Sequence, residues 1–131
     1  PLLDRIDLHI EVPSVRYQEL AGAPAGEASA AIRERVRRAR AVQHERFRGL
    51  RKVRCNAAMR AKDLQKHAVL PPDAQALLKA ALADLHFSAR AYDRILKVAR
   101  TIADLDGAAA IDARHVGEAV QYRNLDRQFW V

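Results

Sequence analysis

Two arginines of this chain stand where a guanidinium group could meet an anion. Arg5 lies between Asp4 and Asp7, at the entrance to an alternating apolar segment. Arg90 falls in the first turn after Ser88, where the partial positive charge of a helix start disfavours a cation by up to ~1 kcal/mol. A bound polyanion would relieve that cost, because arginine and free helix amides both bind phosphate. Without such a ligand, both arginines are ordinary exposed cations that pair with neighbouring acids.

A third candidate is the run of basic residues between Arg33 and Arg54. It holds ten Arg or Lys against only Glu34 and Glu45, so the +7 charge of the chain is concentrated there. The predominance of arginine suits phosphate or carboxylate partners. Three interpretations stay open: contact with nucleic-acid phosphates, an acidic protein neighbour, or a solvated face. The residues expected to contact DNA phosphates are Arg33, Arg37, Arg38, Arg40, Arg48, Arg51, Lys52 and Arg54.

Other chemistries lack residues at the spacing they require. The five histidines are scattered, and none pairs with another His or with Cys55 at ligand spacing, so no metal site is predicted. No Ser-His-Asp or Cys-His arrangement indicates nucleophilic catalysis. The sequence also contains no glycine-rich GxxxxGK[ST] phosphate loop. We therefore do not expect the chain to hold and hydrolyse a nucleotide unaided.

The elements that must position these residues begin with a strand over 1–12. Its apolar residues Ile6, Leu8, Ile10 and Val12 alternate with polar ones. No later segment predicts a second strand of that quality, and a lone strand cannot satisfy its own hydrogen-bonding groups. We therefore expect this strand to belong to the sheet of a larger protein, of which the chain is one piece.

The next segment, 13–26, is predicted to be a linker because its prolines and glycines interrupt regular structure. A long helix is then expected over 27–48, with Gly49 at its end, followed by an irregular basic stretch over 50–59. The apolar stripe that this helix is expected to bury consists of Ile32, Val36, Ala39, Val42 and Phe47.

Four further helices are predicted in the second half of the chain. A short one covers 61–67, and a second runs from the Pro71-Pro72 pair to about residue 85. Ser88 caps a third, and Asp112 caps the last. The third helix is expected to bury Tyr92, Ile95, Leu96, Ala99, Ile102 and Ala103. The pattern predicts an all-α bundle over 27–124, with 125–131 as a tail.

Composition agrees with a helical bundle. Half of the residues are hydrophobic, many of them Ala, and only 5% are aromatic. The single cysteine, Cys55, permits no internal disulfide and indicates a reduced thiol. No apolar run approaches the ~18 residues of a membrane span. A cytoplasmic location without a membrane partner is therefore expected.

Several long motifs follow one another in a recognisable order. They are LLDRIDLHIEVP at 2–13, SAAIRERVRRARAVQHERF at 29–47, NAAM at 56–59 and FSARAYDRILKVARTIADLDG at 87–107. Together they closely resemble the C-terminal part of the magnesium-chelatase-like ComM/YifB proteins of bacteria. The resemblance covers essentially the whole chain and falters only after Arg127.

The resemblance implies that the chain is part of an AAA+ ATPase, with 1–12 the last strand of the ATPase core and 27–124 the helical lid subdomain. The phosphate loop would lie upstream, so ATP and Mg²⁺ are expected only in the full-length protein. Arg5, in LLDRID, would be the arginine finger toward a neighbouring subunit. Arg90, after the Ser-Ala pair, would be sensor 2, and Arg94 is expected only to support it.

The implied function is ATP hydrolysis that drives DNA remodelling, by branch migration or helicase action, in DNA uptake and recombination. The implied partners are the protein's own AAA+ core, the neighbouring subunits of a ring, expected to be a hexamer, and DNA. Two alternatives stay open. One is the ATPase component of magnesium insertion into a tetrapyrrole. The other is a stand-alone basic helical module that binds nucleic acid without catalysis.

Overall fold

A computed structural model describes residues 2–123 of the chain, which form six helices and two 3-10 turns. The helices are α1 (Tyr17–Gly22), α2 (Ser29–Arg46), α3 (Ala61–His67), α4 (Pro72–Asp84), α5 (Ala89–Leu105) and α6 (Ala113–Gln121), and the turns are Leu3–Arg5 and Asn56–Ala58. The all-α class is confirmed. The tail predicted at 125–131 lies outside the described residues.

The caps predicted for the last two helices are formed. The Ser88 side chain accepts a hydrogen bond from the Ala91 amide at 3.3 Å at the start of α5. Asp112 accepts bonds from the amides of Arg114 and His115, at 2.9 and 3.3 Å, at the start of α6. These bonds satisfy amides that have no partner inside the helix, which is why the two helices begin where the sequence predicted.

The predicted end of α2 is also confirmed. Phe47 closes the helix with its amide on the Gln43 carbonyl, and Gly49 follows with a φ of 81°. This left-handed backbone conformation favours glycine, which has no Cβ to clash with the preceding carbonyl. Gly107 ends α5 in the same way, with a φ of 70°.

The core lies where α5 packs against α6, α2 and α3, and α4 packs against α6. Ile95, Ala99 and Val116 are completely buried at its centre. The other buried members of this core are Phe47, Val53, Met59, Leu64, Ala68, Leu70, Ala74, Leu78, Leu96, Ala103, Ile111 and Ala119. Many of them are alanines, so the helix backbones can approach closely. Tyr92, expected in this core, is instead 41% exposed, beside an apolar groove lined by α3 and α4.

The expected opening strand is not formed within residues 2–123. Leu3–Arg5 is a 3-10 turn, and residues 6–12 follow it without a ladder. The physical reason is that the described part of the chain offers no second strand to pair with. The segment is instead held by the helices, for the amide of His9 donates to the Tyr122 carbonyl at 2.7 Å.

The predicted linker differs from expectation because it contains α1. The prediction that its prolines and glycines exclude regular structure was wrong for residues 17–22. The helix buries no side chain, and its start is closed locally, where the Arg16 amide donates to Glu19 at 3.2 Å. Every residue from 10 to 38 is exposed, so α1 is a local helix that no core contact stabilises.

The apolar stripe of α2 is only partly buried. Ala39 and Phe47 lie in the interior, but Ile32, Val36 and Val42 keep 43–46% of their surface exposed. Val42 lies in the packed C-terminal half of α2, but off the side that buries Ala39 and Gln43. Ile32 and Val36 lie in the N-terminal half, where every residue up to 38 is exposed. The N-terminal half instead forms one wall of an open cleft of about 450 Å³ between α2, α5 and α6.

Candidate functional site

The turn that carries Arg5 is anchored by Arg123, just after α6. Arg123 is 1% exposed and donates from Nη1 to the Ile6 carbonyl at 2.9 Å and from Nη2 to the Leu3 carbonyl at 3.5 Å. Its guanidinium also lies 5.9 Å from the centre of the Phe87 ring, within the range of a cation–π contact. One buried guanidinium therefore holds the backbone on both sides of Arg5.

A second contact joins the segment after Arg5 to α5. The Asp7 carboxylate accepts a hydrogen bond from Arg94 Nη1 in an ion pair between residues 87 positions apart. Asp7 was expected from the sequence to serve as a local partner of Arg5. In the structure Asp7 pairs with Arg94 instead. The turn that carries Arg5 packs against α5.

Arg5 and Arg90 are both exposed, and neither forms an ion pair within residues 2–123. Arg90 lies one helical turn before Arg94, so it shares a face of α5 with the residue that binds the Arg5 segment. The structure therefore brings the two predicted nucleotide-contacting arginines to the same end of the helical domain. Both guanidinium groups are available to an external anion.

The second candidate site, called here the basic surface, consists of the eight residues predicted to contact DNA phosphates. All eight are exposed. Arg33, Arg37 and Arg40 follow one another at helical spacing along α2, and Arg40 also lines a cleft beside Ala39 and Gln43. The members after the helix are Arg48, Arg51, Lys52 and Arg54, and Arg38 is the eighth.

Few carboxylates neutralise the basic surface. Arg37 and Arg38 share Glu34, at 3.2 and 3.9 Å, and Arg48 pairs with Glu45 at 2.5 Å. The other five members form no ion pair within the described ranges. Because residues 2–123 supply so few counter-charges to these guanidinium and ammonium groups, the surface keeps the excess charge that the sequence predicted.

Comparison with known proteins decides the family. Residues 26–123 match the model of the family described as magnesium chelatase, subunit ChlI C-terminal.

The chain belongs to this family.

Its relatives include an uncharacterized protein YifB of Salmonella typhimurium and the competence protein ComM of Haemophilus influenzae, each 41% identical over 128 residues. A YifB protein of Escherichia coli is 38% identical over the same length. Each match covers 97% of this chain and 24% of the relative. The chain therefore spans about a quarter of the length of these curated relatives, and the resemblance to the ComM/YifB C-terminal region is confirmed.

One arginine of the basic segment 33–54 points inward. Arg46 forms a two-pronged ion pair with Asp104 of α5, at 2.7 and 2.5 Å, and also donates to Asn56 at 2.9 Å. Asp104 receives further contacts from Asn56 at 2.8 Å and from Arg100 at 3.1 Å. The Gln43 Oε1 atom completes the cluster by accepting a hydrogen bond from the backbone amide of Asn56 at 2.9 Å. This network attaches α2 and the 3-10 turn Asn56–Ala58 to α5.

The Asp104 carboxyl stays ionised in this network. Burial by itself raises its pKa, but hydrogen bonds from Arg46 and Asn56 and the charge of Arg100 outweigh burial and hold the pKa below its usual value. Sequence reasoning did not find the network. The available signal was Arg100 and Asp104 at i and i+4 on the otherwise apolar face of α5.

Residues 2–123 bring together no three His, Cys, Asp or Glu side chains in a way that could hold a metal ion. Among the helices that the structure describes, none combines the length and apolar character needed to cross a bilayer. Cys55 carries a free, half-buried thiol.

Proposed function

We propose that this chain supplies two arginines to the nucleotide sites of an AAA+ ATPase ring, Arg5 from the end of the core and Arg90 from the lid. Arg5 would act as the arginine finger toward the neighbouring subunit, and Arg90 as sensor 2. The proposal is supported by the exposure and the ion pairing of these two side chains. Both are exposed without an ion pair in the described part of the chain, although the backbone beneath each is fixed by the core or by Arg123.

The two arginines have different chemical tasks. Arg5 would neutralise the negative charge that develops as the γ-phosphate is transferred to water, an effect worth about 10³–10⁵ in rate. Arg90 would contact the γ-phosphate from the lid, and the phosphate would relieve the unfavourable position of this cation at the start of α5. ATP and Mg²⁺ would be bound by the upstream core, because this sequence contains no phosphate loop.

Hydrolysis would move the lid relative to the core and so drive a substrate through the ring, for which we propose a hexamer. The substrate class that the basic surface fits is DNA, bound through its phosphates rather than its bases. The name of one relative, competence protein ComM, supports a role in DNA uptake, with branch migration or unwinding as the remodelling step.

The family description supports a second candidate, the ATPase component of magnesium insertion into a tetrapyrrole. The excess charge of the basic surface favours DNA instead, since a tetrapyrrole offers no row of phosphates. Stimulation of the full-length ATPase by branched DNA would favour the first candidate, and stimulation only by a metal-free tetrapyrrole would favour the second. A non-catalytic basic module would show no ATPase activity at all.

The proposal is tested by replacing Arg5 in the full-length protein. We expect Arg5→Ala to lower ATP turnover by about 10³-fold or more while leaving ATP affinity within about threefold, because the finger acts on the transition state. ATP turnover and the binding of a fluorescent ATP analogue are the measurements. Arg16→Ala removes another exposed arginine nearby and serves as the control, with turnover unchanged. Undiminished ATP turnover in Arg5→Ala would refute the role of Arg5 as the arginine finger.

A further inference from the structure

Two further arginines at this end of the lid contact the Arg5 segment and have no role in the proposed chemistry. Arg94 and Arg123 both bind the segment that carries Arg5. Arg94 was expected only to support Arg90, and Arg123 was not singled out by the sequence. We infer that Arg94 and Arg123 are positioning residues that fix the Arg5 turn to the lid, so that Arg5 and Arg90 move as one rigid body. The inference rests on the proposed function of Arg5 and Arg90.

Arg123 fixes the backbone of the turn rather than a side chain. Its two bonds end on the carbonyls of Leu3 and Ile6, and a buried guanidinium makes charge-assisted hydrogen bonds that hold their acceptors firmly. The His9 imidazole Nε2 lies 3.3 Å from the same Leu3 carbonyl, and the His9 amide bonds the Tyr122 carbonyl. The turn is therefore closed onto the chain just after α6 at both of its ends.

Arg94 ties the same turn to the helix that carries Arg90. Asp7 is two residues after Arg5, and Arg94 is one helical turn after Arg90. The ion pair between Asp7 and Arg94 thus joins the finger to the sensor through about one turn of helix. Arg94 is 28% exposed and Asp7 is 49% exposed, so the pair can be exchanged without opening the core.

This arrangement fixes the two proposed nucleotide-contacting arginines relative to each other. If the Arg5 turn and the start of α5 belong to one rigid body, both guanidinium groups can meet one triphosphate together. Loss of the Asp7–Arg94 pair would then displace Arg5 without removing a group that touches the nucleotide.

The test is a charge exchange in the full-length protein. We expect Asp7→Arg and Arg94→Asp each to lower kcat for ATP by about 10²-fold with KM within twofold, because loss of orientation affects turnover more than binding. The double variant with both changes should recover kcat to within about threefold of the parent. Single variants with parental kcat, or a stably folded double variant without recovery, would overturn the inference.

Hydrogen exchange provides a readout that does not depend on hydrolysis. In Arg94→Gln, the hydrogen-bonded amides of Arg5, Ile6 and His9 should exchange about two- to fivefold faster than in the parent, because their segment opens more often. Arg60→Ala removes another partly exposed ion pair, with Asp63, and should leave these amides unchanged. Unchanged exchange in Arg94→Gln would overturn the inference whether or not Arg5→Ala is active. A fully active Arg5→Ala would instead refute the proposed function.

Discussion

At the scale of single residues, Arg5 and Arg90 form no ion pair within residues 2–123, although acids lie close to each in sequence. Asp4 and Asp7 flank Arg5, yet Asp7 pairs with Arg94. Arg90 lies at a helix start with no acid in the first turn. An arginine at a position where its charge weakens the helix indicates that the residue serves function rather than stability.

This interpretation predicts a gain in stability when Arg90 is lost. Arg90→Glu places a favourable charge at the start of α5, so the free energy of unfolding of the chain should rise by about 0.3–1 kcal/mol. Urea denaturation at low salt is the measurement. Lys79→Glu makes the same charge change within α4, away from the start of α5, and should give a smaller effect. A destabilised Arg90→Glu would show that Arg90 stabilises the lid, contrary to this account.

At the scale of elements, sequence periodicity predicted the second half of the chain well. The bounds of α3 matched, and the caps of α5 and α6 came from Ser88 and Asp112 because capping is a local interaction. The burial of α2 could not be predicted, because it depends on where the helix crosses α5. Periodicity alone also could not decide whether residues 1–12 form a strand, because a strand needs a second strand to pair with.

The anchor of α2 is a buried ion-pair network, and it predicts a strong effect of one substitution. Asp104→Asn leaves the guanidinium groups of Arg46 and Arg100 buried without their counter-charge, which should cost about 3–5 kcal/mol near pH 7. Urea denaturation of both proteins is the measurement. Asp93→Asn changes an exposed carboxylate on the same helix and should stay within about 0.5 kcal/mol of the parent.

The difference in unfolding free energy between the parent and Asp104→Asn should depend on pH in a definite direction. Because the folded-state pKa of Asp104 is lowered, its ionised form stabilises the fold above the ordinary Asp pKa of about 3.9. That stabilisation is lost as the pH falls through the lower folded-state pKa. The stability gap between the parent and Asp104→Asn should therefore narrow below about pH 4. A gap that stays constant down to pH 2 would contradict an ionised Asp104.

The basic surface is also a property of one element and the loop after it, and it makes a prediction about salt. If its arginines contact DNA phosphates, Arg33→Gln, Arg37→Gln and Arg40→Gln together should reduce the slope of log affinity against log salt by up to about 2.7 for duplex DNA. Affinity should show little sequence preference. Replacing Arg60, Lys62 and Lys66 by Gln removes equal charge elsewhere, and an equal change in slope there would argue against a specific surface.

At the scale of the whole molecule, α5 connects the two candidate sites. Its start carries Arg90 and Arg94, and its end carries Asp104, which holds α2 through Arg46. A helix of 17 residues is about 25 Å long, so the nucleotide end and the α2 anchor lie at opposite ends of one rigid element. Sequence motifs indicated the two sites separately, whereas their connection depends on contacts between residues far apart in sequence.

The central claim is that the Arg5 guanidinium acts across a subunit boundary, and subunit mixing tests it most directly. Full-length Arg5→Ala and a full-length variant with a disabled phosphate loop should each be inactive alone. Mixed rings should regain ATP turnover, because the intact finger of the loop-disabled subunit can act on ATP held by its Arg5→Ala neighbour. Mixed rings that form but stay inactive at every mixing ratio would contradict the claim.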